Sequence, residues 1–212
     1  MIKVLFSALR NKLGFAPRPV LNSLTGLTDF TARQAAYVSQ VTLFGYIKTR
    51  AGTSWPKLFE DDTYLVSLRT ARSHFFAACV ADLALFFAAR MFIGARLSAL
   101  QAEKLAIYLV EAVLLHHHDE DIDPTAFDAV IVRTRQRAAV IAWEEAATSA
   151  LAFVSSADAF MRWAPVTDEF KVLDEEIMRN SLHLRWIGIR RDVKETLNVQ
   201  EVLADSKMLM KE

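Results

Sequence analysis

The sequence predicts an all-α protein: a single bundle of about six or seven helices around one buried central helix. The run from Phe75 to Gly94 is apolar except for Asp82 and Arg90. A helix that is apolar on every side has to be enclosed by protein or by lipid. Only six Gly and five Pro occur in 212 residues. No stretch shows the sustained alternation of apolar and polar residues that is typical of half-buried strands.

The central helix, expected over residues 61–94, is long enough to cross a bilayer. Its charges argue against a simple span, because a central Asp costs about 2.5 to 3.5 kcal/mol on the insertion scale, whereas each Phe, Leu, Ile or Val recovers roughly 0.3 to 0.6 kcal/mol. We therefore favour a buried bundle helix, with a membrane span as the alternative. In a bundle, Asp82 must be paired, because a lone buried carboxylate is very costly. Arg90 is the expected partner in a buried charge pair, with Arg72 and His74 two turns away in the other direction.

Composition excludes several classes of protein. Hydrophobic residues make up 53% of the chain, and the formal net charge is zero, which argues against a generic nucleic-acid binder. The single cysteine, Cys79, has no partner for an internal disulfide and is expected to be an inert core residue. This cysteine usage fits a reducing compartment, so we expect a cytoplasmic protein.

Residues 1–15 form a basic amphipathic segment, whose apolar and basic positions are Ile2, Lys3, Leu5, Phe6, Leu9, Arg10, Lys12 and Leu13. One interpretation is an in-plane anchor, with apolar residues in the acyl boundary and basic residues on anionic headgroups. The alternatives are a docking arm for a protein partner, an organelle transit peptide and an ordinary first helix. A secretory signal is excluded, since Arg10 and Lys12 interrupt its apolar core.

After this segment the sequence divides into three parts. Residues 16–29 carry Pro17, Pro19 and Gly26 among Ser, Thr and Asn and are expected to form a linker or an irregular layer. Residues 30–198 form the bundle domain, and residues 199–212 a polar C-terminal tail. Within the bundle, Ser98 and Gln101 have the spacing of a capping box. The pattern then predicts one long helix from Pro124 toward Val154.

The last major helix carries a heptad seam. Its apolar positions recur every three and four residues, with one polar residue among them: Phe170, Leu173, Ile177, Asn180, Leu184 and Ile187. A polar residue in such a seam is typical of positions that fix register. The seam spans fewer than three heptads, so we favour a bundle edge, with a homodimer joined through residues 170–187 as the alternative. A strand over Leu184–Val193 also stays open.

The cluster from His116 to Asp121 has the side chains of a metal site. Glu111 and His118 are two turns apart on a helix, and with His116 they are the candidate ligands. The competing interpretation is a solvated helix end, where His favours the negative pole of the helix dipole. A di-iron carboxylate bundle needs Glu-x-x-His pairs, and the sequence has none. No cofactor is predicted, and a bound metal stays an alternative.

Other charged residues are candidates for anion binding or for structural pairing. The cationic sets Arg133/Arg135/Arg137 and Arg190/Arg191 could bind an anionic headgroup or an acidic partner, but we favour a solvated face. At least one of Glu144 and Glu145 is expected to be half-buried and paired with Arg137 or Lys104.

No catalytic signature is present: the sequence lacks Gly-x-Ser-x-Gly, the P-loop, Gly-x-Gly-x-x-Gly and Cys-x-x-Cys. We therefore expect a non-enzymatic, all-helical accessory or scaffold protein that acts by protein–protein contact at the inner face of a membrane or on a membrane complex. The alternative is a metal-dependent or hydrophobic-ligand-binding helical enzyme.

Overall fold

The computed structural model describes residues 20–116 and 124–207, and 85% of these residues are helical. Within these two ranges the chain forms eight α-helices and one 3-10 helix, and no strand. In chain order the elements are α1 (Leu24–Ala51), the 3-10 helix (Gly52–Glu60), α2 (Asp62–Ala95), α3 (Ala99–His116), α4 (Pro124–Ala138), α5 (Trp143–Thr148), α6 (Ser155–Trp163), α7 (Asp168–Thr196) and α8 (Val199–Asp205). The prediction of an all-α bundle is confirmed.

Helix α2 is the centre of the bundle and contacts α1, α3, α4, α5 and α6. Every residue from Phe75 to Ala89 is buried, as the unbroken apolar run predicts. By length and composition α2 could also cross a membrane, but 83% of its most apolar window is buried inside the protein. The enclosure of α2 therefore comes from its sister helices. Cys79 lies in this core as a free, fully buried thiol.

Helix starts follow local capping chemistry. Ser23 accepts a hydrogen bond from the Gly26 N–H at the start of α1, and Asp61 accepts from the Thr63 and Tyr64 N–H groups at the start of α2. The predicted capping box forms in both directions between Ser98 and Gln101. These side chains satisfy N–H groups that have no partner inside the helix.

Two boundaries differ from the predictions. Helix α1 begins at Leu24, so the linker expected over residues 16–29 is shorter at its C-terminal end. The helix expected from Pro124 toward Val154 ends at Ala138, and after a turn the short helix α5 follows. This second prediction was wrong because no Gly or Pro marks the break. The turn carries Trp143 into the core beside Phe92 of α2.

The C-terminal segment packs on the bundle as far as residue 207. Leu21 and Leu197 form an isolated parallel bridge, with a hydrogen bond from the Leu21 N–H to the Thr196 carbonyl. Helix α8 lies against the end of α2, where Gly94 faces Val199, and Val202 is fully buried. Within the predicted tail over residues 199–212, the segment Val199–Asp205 is therefore a helix docked on the bundle. Residues 208–212 lie outside the described residues.

Candidate functional site

A buried ionic network centres on Asp82, in the middle of α2. Arg137, at the end of α4, donates from Nη1 to Asp82 Oδ1 at 2.7 Å. The same guanidinium donates to Ser155 Oγ at 2.5 Å and to the carbonyls of Leu151 and Ala152. Arg137 therefore ties the segment before α6 to the centre of the bundle.

The Asp82 carboxylate also caps α6 from a different helix. The Ser155 and Ser156 N–H groups donate to its two oxygens at 3.0 and 2.8 Å. The residue at the usual capping position, Val154, has no side chain that can accept these bonds. Burial raises the pKa of Asp82, and Arg137 and the Ser156 N–H oppose this rise. A carboxylate in the core thus replaces the missing local cap and meets the positive end of the helix dipole.

Two predicted charge pairings are corrected by the structure. The Asp82–Arg90 charge pair does not form: Asp82 is buried as expected, but its partner is Arg137. Arg90 forms no ion pair within the described ranges, and burial lowers its pKa. Glu144 and Glu145 are both exposed in the first turn of α5, so the prediction of a half-buried, paired glutamate was wrong.

Above this network lies an open cleft between α2, α4 and α6, with a volume of about 510 Å³. Its apolar lining comes from Ala78 and Ala81 on the floor, and from Val130, Val140 and Ala159 on the walls. This size falls within the range of small-molecule sites in proteins.

The polar rim of the cleft is mainly cationic. Arg133 on α4 and Arg162 on α6 both line it and are both exposed. Neither forms an ion pair with a residue that the structure describes; the Arg162 guanidinium lies 5.2 Å from the Trp163 ring centroid. The carboxylate on the rim, Asp158, is bridged to Arg179 at 3.0 Å. The cleft therefore combines an apolar floor with two uncompensated positive charges.

A second candidate surface is the outward side of α7. The inward side carries Met178, Leu182, Trp186, Ile189 and Val193, all buried. The predicted heptad positions lie on the opposite side, and the exposed fractions of Leu173, Ile177 and Leu184 are 73%, 67% and 68%. We call Phe170, Leu173, Ile177, Asn180, Leu184 and Ile187 the outer face of α7. Helix α7 packs at the edge of the bundle through its inner side, but the heptad positions themselves point away from the core.

The inner side of α7 is held by specific polar contacts. Asp174 accepts hydrogen bonds from Tyr46 Oη at 2.9 Å and from Arg50 Nε at 2.5 Å, and a second guanidinium nitrogen completes a bidentate pair. The Arg50 guanidinium lowers the pKa of Asp174, while burial raises the pKa of Tyr46 to about 12. Trp186 donates from Nε1 to Ser156 Oγ at 3.2 Å. These contacts fix which side of α7 faces outward.

Exposed apolar surface continues from α7 onto α1. A groove of about 450 Å³ separates the two helices and is lined by Val41, Gly45 and Ile177, among others. Tyr37 and Val41 are exposed. A Cβ atom added to Gly45 would meet nothing within 4 Å. The outer face of α7 therefore borders further apolar residues and free space.

The candidate metal ligands are not brought together in the described part of the chain. Glu111 is exposed on α3, the side chain of His116 and all of His118 lie outside the described residues, and no group of three His, Cys, Asp or Glu side chains suited to a metal occurs among those that are described. The membrane- or partner-contact residues predicted in residues 1–15 also lie outside them, so both assignments stay predictions.

Two residues of the cleft were missed from sequence. Arg162 and Trp163 follow a short helical pattern that resembles any surface helix, and nothing local links them to Arg133 on another helix. Comparison of the chain with protein-family models, with curated proteins and with solved structures gave no match. The cleft and the outer face of α7 are the two candidate functional surfaces among the described residues.

Proposed function

We propose that this protein is a non-enzymatic, all-helical scaffold protein that acts by protein–protein contact. The contact surface is the outer face of α7, and its first partner is a second copy of the chain. One observation carries the proposal: α7 has two apolar sides, and the fold covers one of them. Exposed apolar patches of this kind are typical of interaction sites.

Charge favours an antiparallel pair of α7 helices. Besides the buried Asp174, residues 168–177 contain four acidic residues and one basic residue. Besides Arg190, whose guanidinium donates to the Thr148 carbonyl, residues 178–196 contain four basic and two acidic residues. Antiparallel pairing places the acidic half of each helix beside the basic half of its partner. Complementary potentials of this kind fix orientation and exclude the alternative arrangement.

Heptad geometry gives the register of this pair. In an antiparallel arrangement centred between Ile177 and Asn180, Leu173 of one copy lies opposite Leu184 of the other. The flanking positions then pair Glu176 with His183 across the interface, and both side chains are exposed. In a parallel pair, Glu176 would instead face the uncharged Ser181, and this charge pair would be lost.

The expected association is concentration-dependent. Half-burial of a large apolar side chain contributes about 1 kcal/mol, so the apolar side chains of two outer faces supply on the order of 10 kcal/mol. Association costs a comparable 4 to 15 kcal/mol or so in lost freedom. The pair therefore forms at high protein concentration and dissociates on dilution.

Light scattering and sedimentation equilibrium over a concentration series test the proposal. The wild type is expected to shift toward the mass of two chains as concentration rises. The double variant Leu173→Glu/Ile177→Glu is expected to stay a monomer, because it places charges in the contact. A matched control is Val66→Glu/Leu100→Glu, which changes two exposed apolar residues elsewhere and should associate like the wild type. A monomeric wild type at every concentration would remove the proposal.

Attachment to a membrane is the second part of the proposal. Residues 1–15 would bind anionic headgroups at the cytoplasmic side, as their basic and apolar spacing suggests. Flotation with anionic liposomes tests this: the full chain should float, and a chain lacking residues 1–15 should not. Equal recovery of the two chains would assign these residues another role.

A further inference from the structure

We propose that the cleft between α2, α4 and α6 binds a phosphate monoester that carries a short apolar body, such as an alkyl or aryl phosphate. This inference rests on the cleft alone and is independent of association through α7.

The shape and lining of the cleft fit the apolar body. The floor is built from Ala78 and Ala81, whose small side chains leave the depth open, and the walls add Val130, Val140 and Ala159. Apolar atoms of a ligand lying there would leave water, at a gain of about 0.8 kcal/mol for each fully buried CH₂ group. A short alkyl or aryl body fits inside a cleft of about 510 Å³.

The charge of the rim fits a dianion. Arg137 is fully engaged by Asp82, Ser155 and two carbonyls, and Asp158 is engaged by Arg179. Arg133 and Arg162 are left as the two uncompensated cations among the lining residues that the structure describes. A phosphate monoester carries about −1.5 to −2 charges at neutral pH, so its charge matches theirs. A carboxylate or an alkyl sulfate carries one negative charge and would neutralise only one of the two arginines.

Neutral groups at the same rim add a donor and an aromatic wall. Ser155 Oγ accepts from Arg137 at 2.5 Å, and its own hydroxyl hydrogen has no acceptor among the described residues, so it is available to a phosphate oxygen. The Trp163 indole is stacked on His74 with ring centroids 3.9 Å apart, which holds the indole in a fixed orientation beside Arg162. Guanidinium groups bind phosphate through paired, charge-assisted hydrogen bonds.

Calorimetric titration of the full chain with hexyl phosphate tests the proposal. Inorganic phosphate probes the headgroup alone, and hexyl sulfate probes the same body with one charge fewer. We expect hexyl phosphate to bind at least about tenfold tighter than inorganic phosphate, because of the buried carbons. It should also bind more tightly than hexyl sulfate, since the sulfate leaves one guanidinium uncompensated.

Two variants place the binding in the cleft. Arg133→Gln/Arg162→Gln should weaken hexyl phosphate binding by about tenfold or more, since each charged hydrogen bond contributes appreciably. Arg135→Gln is the matched control: it lies on the same helix, is exposed and does not line the cleft. Both arginines of the double variant are exposed, so circular dichroism and the thermal midpoint should match those of the wild type.

A third measurement separates a free ligand from a lipid headgroup. Vesicles of phosphatidylcholine with and without phosphatidate are compared for binding by the wild type and by Arg133→Gln/Arg162→Gln. Phosphatidate-dependent binding that this variant loses identifies a lipid source, and binding of soluble hexyl phosphate alone identifies a free ligand. Equal affinity for hexyl phosphate and inorganic phosphate, or equal affinity of the wild type and the double variant, would overturn the proposal.

Discussion

At the scale of single residues, the fold depends on a carboxylate in its centre. Asp82 is fully buried and receives hydrogen bonds from Arg137 and from the first two N–H groups of α6. A buried ion pair adds little net stability compared with apolar packing, but removing one partner leaves the other charge uncompensated. Asp82 therefore acts mainly on structure, by fixing α4 and α6 relative to α2.

Truncating either partner of this pair should destabilise the protein strongly. We expect Asp82→Ala and Arg137→Ala each to lower the free energy of unfolding by about 3 to 5 kcal/mol, because each leaves a buried charge unpaired. The double variant should cost much less than the sum of the two, because the residues act as a unit. Urea unfolding measures all three proteins, with the exposed Glu144→Gln as control. Additive losses, or a loss below about 1 kcal/mol for Asp82→Ala, would show that the pair is not coupled in this way.

A second carboxylate should make stability depend on pH. Because Arg50 lowers the pKa of Asp174 in the folded protein, the folded state holds fewer protons than the unfolded state just below the ordinary Asp pKa. The stabilisation that ionised Asp174 contributes is therefore complete above the ordinary Asp pKa of the unfolded chain. It is lost as the pH falls through the lowered pKa of Asp174 in the folded protein. Compared with Asp174→Asn, the wild type should be more stable at pH 7, and this advantage should shrink toward pH 3. Urea unfolding of both proteins at several pH values measures it, and a constant difference would contradict the assignment.

The sequence predicts the burial and pairing of Asp82 but not its partner. Burial follows from the apolar neighbours on every side of α2. Helical periodicity places Arg90 near the same side as Asp82 and therefore predicts it as the partner. The actual partner, Arg137, is separated from Asp82 by 55 positions. Periodicity describes one helix at a time, whereas this pairing depends on how two helices pack. Arg133, Arg162 and Trp163 were not grouped into one cleft for the same reason.

At the scale of elements, α7 shows why an apolar pattern does not identify the side that faces the core. The outer face follows a regular heptad spacing. The inner residues Met178, Leu182, Trp186 and Val193 are spaced nearly as well. The outer and the inner spacing both predict a helix. The alternative of a strand over Leu184–Val193 is excluded, because α7 continues to Thr196. Polar contacts made by Asp174 and Trp186 turn one side inward, and these contacts are invisible to periodicity.

The docking of α8 depends on Gly94, which has no side chain to collide with Val199. A Cβ atom at Gly94 would lie 2.9 Å from Val199 Cγ2, and a valine side chain has little rotational freedom to move aside. We expect Gly94→Ala to destabilise the protein by roughly 1 to 3 kcal/mol, with faster hydrogen exchange in α8.

The matched control for α8 is Gly45→Ala, which meets nothing and should be neutral or stabilising by up to about 1 kcal/mol because alanine favours helix. Thermal unfolding of both variants compares them. Equal midpoints for the two alanine variants would show that α8 is not seated on Gly94.

At the scale of the whole molecule, the fold is one hydrophobic core built around α2. Its class follows from the sequence because an all-apolar helix needs neighbours on every side. Details that depend on tertiary packing, such as the break after Ala138 and the docking of α8, do not. Among the described residues, the outer face of α7 keeps apolar side chains exposed, and we propose that association with a second copy covers them.

Cross-linking of α7 tests the antiparallel pair most directly. Leu173 is replaced by Cys in one protein and Leu184 in another, and the two variants are mixed and oxidised. The native Cys79 does not compete for the disulfide, because it is fully buried. We predict a disulfide in the mixture and none in either variant alone, because in the antiparallel register residue 173 faces residue 184 of the partner and two copies of residue 173 lie about 16 Å apart along the helix. Cross-linking of Leu173→Cys with itself, or no cross-link in the mixture at a concentration where the wild type associates, would contradict the account.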